Sequence, residues 1–231
     1  MTGINEARAK GGTLGAMDGP RDISLDIPVS TGRGQLSGDL SLPGAARGLV
    51  VFAHGSGSSR FSPRNRMVAG WLGRQGYATL LFDLLTPGEA EDRAHVFDIP
   101  LLAGRVGDAL SRLAEEPAAA GLAIGLFGAS TGAGAALVAA AERPEAVAAV
   151  VSRGGRPDLA GAALARVQAP TLLIVGGRDT QVIALNEEAL AELRCEKRLE
   201  IVPGATHLFE EPGTLETVME KTAAWFDLHL G

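Results

Sequence analysis

Leu122-Ala123-Ile124-Gly125-Leu126-Phe127 runs into Gly128-Ala129-Ser130-Thr131-Gly132, and the small-residue stretch Ala133–Ala141 follows. An apolar run, a G-x-S-x-G pentapeptide and a small-residue run predict strand, sharp turn and helix, with Ser130 at the turn. In such an elbow the serine takes a strained backbone conformation, and glycines flank it because strand and helix crowd the turn. Oγ is lifted above the sheet, and the helix that follows offers free N–H groups and the positive end of its dipole where an oxyanion would form. The pentapeptide alone is weak. With 31 glycines in 231 residues, chance supplies roughly 0.2 such patterns, so the flanking strand and helix carry the inference.

Outward from the elbow the chain keeps one rhythm. Ile23–Val29 and Gln35–Leu42 alternate apolar and polar residues around Thr31-Gly32-Arg33-Gly34, which predicts an antiparallel hairpin. Short continuous apolar runs follow at Gly48–Ala53, Ala78–Phe82, Leu122–Phe127, Ala146–Val151, Thr171–Val175 and Arg198–Val202, as in strands buried on both faces. Helical stretches lie between and after them at Pro63–Gln75, Ile99–Ala114, Ser130–Glu142, Leu159–Val167, Val182–Arg194 and Thr214–Leu230. The expected fold is α/β: a mostly parallel sheet of eight strands, helices on both faces and an antiparallel pair at its start. Residues 22–231 are read as one domain, and residues 1–21, rich in Gly and polar residues without periodicity, as a disordered tail.

The formal charge of −6, with no basic run, excludes a nucleic-acid or anionic-membrane partner and favours a small-molecule ligand. Cys195 is the only cysteine, so no intramolecular disulfide forms, and no apolar leader or membrane-spanning stretch is present. A cytoplasmic protein is expected. A homodimer is compatible with the sequence but not required by it.

A serine needs an imidazole to take its proton, and the imidazole needs an acid to fix its tautomer. Two strand ends supply them. Gly176-Gly177-Arg178-Asp179 follows Thr171–Val175, and Pro203-Gly204-Ala205-Thr206-His207 follows Arg198–Val202. Ser130, Asp179 and His207 stand in the chain order of a serine hydrolase built on this sheet. Asp83, Glu210 and Glu211 are rival acids of lower rank. His54-Gly55-Ser56-Gly57 follows the first parallel strand, and the N–H groups of Ser56 and Thr131 are assigned to the oxyanion hole. This turn lacks the lysine and spacing of a phosphate-binding loop. His95 lies in the acidic stretch Leu84–Asp98, expected to wall the site, and His229 is expected at the surface. Arg60, Arg64, Arg153, Arg156 and Arg178 gather near the inferred mouth. Arg60, Arg64, His95 and Arg153 are the substrate-binding candidates, weighed against solvated loop charge. No cofactor or metal is implied, because neither a dinucleotide fingerprint nor a clustered His/Cys/carboxylate spacing occurs.

On these residues the chain resembles the α/β-hydrolases, and within them the small single-domain dienelactone hydrolase group, over about Ile23–Leu230. The stretch His54–Arg66 also resembles bacterial hydrolases that stand alone or are fused to a phosphoribosyltransferase, although no phosphoribosyltransferase motif occurs here. Dienelactone hydrolases proper carry cysteine at the nucleophile position, where this chain has Ser130. The short span between Val151 and Thr171 leaves no room for a cap domain. The resemblance implies a serine hydrolase that cleaves carboxylic esters of small acyl groups, lactones included, through an acyl-enzyme. A thioesterase, amidase or acyltransferase would share these residues, and a non-catalytic small-molecule-binding protein is the alternative of another class.

Overall fold

Alternation along the first two strands decides which face they bury. In β2 (Gln35–Leu42) Leu36, Leu40 and Leu42 point inward, and in β1 (Arg21–Pro28) Leu25 and Ile27 do the same. The computed structural model describes residues 20–231. The expected tail therefore lies outside the described residues except for its end, and Arg21 already belongs to β1. β1 and β2 pair antiparallel as a hairpin, and β2 then pairs antiparallel with β4 (Ala78–Phe82). β3 (Leu49–Ala53), β5 (Ile124–Ala129), β6 (Ala149–Arg153), β7 (Thr171–Gly176) and β8 (Lys197–Val202) complete the sheet in the order β1-β2-β4-β3-β5-β6-β7-β8, with every pairing from β4 to β8 parallel.

The two faces carry separate cores. α1 (Pro63–Arg74) and α7 (Thr214–His229) pack on one face, where Phe52 and Phe127 meet at 5.0 Å between ring centroids. α4 (Ile99–Ala114), α5 (Thr131–Glu142) and α6 (Thr180–Glu192) cover the other. The chain leaves β3 toward β4 on one side and returns to β5 on the other. That reversal opens a crevice at the carboxyl ends of β3 and β5, where loops from several crossovers converge.

Three local expectations change. Residues Pro157–Arg166 form 3₁₀ turns instead of an α-helix, because Gly161, at φ 49°, breaks the run. The strand expected at Ala146–Val151 is Ala149–Arg153, and β5 extends to Ala129. Register against neighbouring strands sets those ends, and an apolar run does not display register. The acidic stretch Leu84–Asp98, which lies outside every expected helix, contains two one-turn helices, α2 (Pro87–Ala90) and α3 (Arg93–Val96), started by Thr86 and Asp92 caps.

Candidate active site

Ser130 alone turns the chain between the end of β5 and the start of α5. Its φ of 51° lies in the left-handed region, a conformation that costs an L-residue on the order of 1–3 kcal/mol. Three backbone bonds hold it there: Ser130 N–H donates to Arg153 O (3.4 Å), while Ser130 O accepts from Ala133 N (3.1 Å) and Arg156 N (3.0 Å). The flanking glycines have the predicted reason. A Cβ on Gly128 would overlap the Ala133 backbone, and one on Gly132 would overlap the carbonyl oxygens of Ala53 and His54. On the far side, a Cβ on Gly55 would stand 3.0 Å from Ser130 Cβ.

The loops after β7 and β8 are stitched together before any side chain is considered. Gly177 N–H donates to Val202 O (2.8 Å) and Arg178 N–H to Ala205 O (2.9 Å). Across this seam His207 Nδ1 donates to Asp179 Oδ2 at 2.6 Å. The carboxylate fixes the proton on Nδ1, so Nε2 keeps its lone pair. Gly154, at φ 51°, lets the His207 loop approach: a Cβ there would lie 3.0 Å from His207 O and 3.7 Å from Nδ1. Gly154 directly follows Arg153, whose carbonyl receives Ser130 N–H, so the His207 loop and the elbow both border the carboxyl end of β6. The rival acids are engaged elsewhere: Asp83 with Arg60, Glu210 with Arg64, and Glu211 with Thr206 N–H at 3.0 Å.

His54 braces the turn after β3. Its Nδ1 donates to Gly55 O (3.0 Å), and its Nε2 accepts from Leu84 N–H (3.1 Å) in the turn after β4. Burial pushes its pKa below 6.5, so the ring is neutral at pH 7. The oxyanion turn departs from expectation in one respect: Ser56 N–H is not free but donates to Thr131 Oγ1 at 2.8 Å. A hydroxyl on the residue after the elbow serine reaches this turn, and no backbone pattern in the sequence signals it. Thr131 N–H opens α5 and has no partner within the helix. Beside this pair lies a cavity of about 430 Å³, whose apolar wall includes Leu36, Leu84, Leu85, Val96 and Leu102. His95 does not line it. In the one-turn α3 the next residue, Val96, faces the cavity, and His95 Nδ1 is buried without a partner.

The arginines divide. Arg60 lines the cavity but gives its backbone N–H (2.8 Å) and its guanidinium to Asp83, with Asp39 at 3.5 Å. Arg64 pairs with Glu210, and Arg156 forms a fork on Asp158 at 2.7 and 2.8 Å. Arg153 is buried, at 6% exposure, and meets Asn65 Oδ1 instead of a carboxylate. Solvated loop charge therefore does not describe Arg153. Asn65 escaped the sequence reading although a signal existed: Asn65, Val68, Ala69 and Leu72 form one buried helical stripe with a polar residue at its head. His229 is a further correction. Its side chain is 14% exposed and its ring meets Trp225 edge-on at 4.6 Å, because α7 packs its last turn against the sheet.

A crystal structure of a dienelactone hydrolase from Anabaena variabilis superposes with TM-score 0.88 and 55% identity, covering 93% of this chain and 100% of that one. A Pyrococcus furiosus esterase (TM-score 0.74, 18% identity, 98% and 100% coverage) and the Butyrivibrio proteoclasticus Est1E bound to ferulic acid (0.76, 16%, 89% and 98%) share the fold. Among curated proteins, a Mycobacterium tuberculosis protein provisionally named a phosphoribosyl transferase is 58% identical over 219 residues. That match takes 94% of this chain and 49% of the relative, so the chain spans about half the length of the curated relatives it matches. The profile of the dienelactone hydrolase family matches residues 38–227, from within β2 to within α7, and the chain belongs to that family.

Proposed function

We propose that this hydrolase-family chain is a serine hydrolase that cleaves carboxylic esters, lactones included, through an acyl-enzyme. The observation that carries the reading is the 2.6 Å His207–Asp179 pair on a loop packed against Gly154, next to a serine held at φ 51°. Strain and an oriented imidazole together fit an activated nucleophile better than a binding pocket. Ser130 Oγ attacks the ester carbonyl as His207 Nε2 takes its proton. Asp179 holds the imidazole and stabilises its charged form, and His207 then protonates the departing alcohol. Water repeats the sequence on the acyl-enzyme with His207 again the base.

The developing oxyanion is received by Thr131 N–H and by the Thr131 hydroxyl. Ser56 N–H donates to Oγ1, so the hydroxyl proton is left free for the substrate. The cavity beside Ser56 and Thr131 takes the apolar part of the ester. With no cap domain over the crevice among the described residues, the site is read as open, suited to small esters, and the protein as one acting in the cytoplasm.

Covalent labelling with a fluorophosphonate, read by intact mass and peptide mapping, tests the reading. Wild type is expected to take one label, on Ser130, and Ser130→Ala none. A folded wild type that takes no label would sink the assignment and promote a binding role. A label followed by turnover of thioesters or amides but not esters would redirect the substrate class.

A further inference from the structure

Asn186 is buried where packing alone calls for an apolar side chain. It stands in the middle of α6, on the inward stripe Val182, Asn186 and Ala189, and is 0% exposed. Its amide nitrogen donates twice, to Val182 O of its own helix at 2.7 Å and to Gly155 O of the loop after β6 at 3.0 Å. Two carbonyl acceptors fix the amide with its nitrogen toward them. Oδ1 is left sealed from solvent without a partner among the described residues. An orphan acceptor is a standing cost to stability, so the contribution of Asn186 lies in where its nitrogen points.

Gly155 O belongs to the Gly155–Arg156 peptide, and the N–H of that same peptide donates to Ser130 O at 3.0 Å. Asn186 therefore stands one peptide unit behind the elbow, and a donor on the carbonyl of that unit strengthens its N–H as a donor to Ser130. The φ of 51° at Ser130 persists only while its surroundings over-determine it. Toward the other end of α6, Asn186 lies about two turns past Asp179 and so on the same side of the helix. Asp179 occupies the N-cap position but makes no side-chain cap; its carboxylate goes to His207 instead. With no cap bond at its head, α6 depends on its packing and on Asn186 to hold Asp179 in place. Residues 153–156 receive every part of the constellation: Ser130 through Arg153 O and Arg156 N–H, the His207 loop against Gly154, and α6 through Gly155 O.

We propose that Asn186 is a positioning residue, a clamp that acts through the Gly155–Arg156 peptide to keep the Ser130 turn in register with Asp179 and His207. The proposal rests on the hydrolytic reading above. Asn186 itself touches neither the substrate nor the reacting atoms.

Asn186→Leu removes both bonds at nearly constant volume. It exchanges one orphan oxygen, Oδ1, for another, Gly155 O, so the urea midpoint is expected to stay close to that of wild type. On a short p-nitrophenyl ester kcat is expected to fall about 10- to 100-fold with KM little changed, the scale of a misplacement of about 1 Å. Labelling of Ser130 by a fluorophosphonate is expected to slow in proportion. Asn186→Thr separates the two bonds: its hydroxyl returns to Val182 O, one turn back, but is too short for Gly155 O, and it is expected to lose rate as the leucine variant does. A kcat within about twofold of wild type in either folded variant overturns the clamp and leaves the Ser130 reading standing. A loss that vanishes once rates are referred to the folded fraction overturns it as well. Should Asn186→Leu fail to fold, Asn186→Thr decides. Exchange of the Arg156 amide proton reads the clamp without catalysis: it is expected to be faster in the folded variant at equal global stability, and equal exchange overturns the proposal. A wild type that takes no label and turns over no ester fails the hydrolytic reading separately, and the hold on the Ser130 turn is then judged on that exchange.

Discussion

Thr131 shows how much one side chain adds to a backbone motif. In the elbow pattern its position is free and only its N–H is counted, yet Oγ1 accepts Ser56 N–H at 2.8 Å and closes the turn after β3 onto the start of α5. A hydroxyl that accepts one bond has a proton left to give, and a bonded N–H on its far side polarises it. Thr131→Val keeps the shape and removes the donor. We expect kcat to fall about 100-fold with little change in KM, the usual cost of one oxyanion donor, and Thr131→Ser to retain most of the rate. Steady-state kinetics on a short ester checks this. An unchanged rate in the valine variant would return the donor role to Ser56 N–H.

Strand ends at the site are held by side chains from their neighbours. His54, following β3, accepts Leu84 N–H in the turn after β4, and Asp83 in that same turn takes Arg60 N–H from the loop leading to α1. The His54 brace works only while the ring is neutral. Burial depresses its folded pKa below 6.5, against the opposing pull of the Gly55 carbonyl and Asp83. As pH falls below about 6.5 the unfolded chain takes up the proton first, so the contribution is full above that value and is lost as pH drops toward the folded pKa. Urea denaturation from about pH 7.5 to about pH 5 should show the wild-type midpoint falling more than that of His54→Asn, whose side chain does not titrate there. Equal falls would remove His54 from the account.

Across the whole molecule, the network around Arg105 joins parts that are distant in the chain. Its guanidinium binds Glu89 of α2, whose Pro87 and Ala90 line the cavity, and Asp108 of its own α4; Asp108 in turn accepts Ser30 N–H from the β1–β2 connection at 3.1 Å. Removing one member of a buried ionic group leaves the others uncompensated. Arg105→Met is therefore expected to lose about 3–5 kcal/mol of stability in chemical denaturation, and the α2 roof of the cavity should loosen with it, read as faster amide exchange at Gly88, Glu89 and Ala90. A loss below about 1 kcal/mol would make the network incidental.

The sequence by itself determined the sheet, the elbow and the positions of the three residues proposed for the site. Strands buried on both faces must be continuous apolar runs, a strand-to-helix turn this tight demands Gly128 and Gly132, and Asp179 and His207 stand directly past strand ends, where open α/β sheets gather their chemistry. These are local consequences of backbone geometry, legible in one dimension. The tertiary structure alone decided which groups meet across the chain. The Ser56–Thr131 bond joins residues 75 apart and the Arg153–Asn65 bond residues 88 apart. Neither leaves a local pattern, because hydrogen bonding between elements distant in the chain depends on how strands are ordered and registered. For the same reason sequence could count five arginines near the inferred mouth but could not tell which of them would be buried away from a carboxylate. Pairing of charge is settled by packing, and packing left Arg153 buried at the end of β6 beside Ser130.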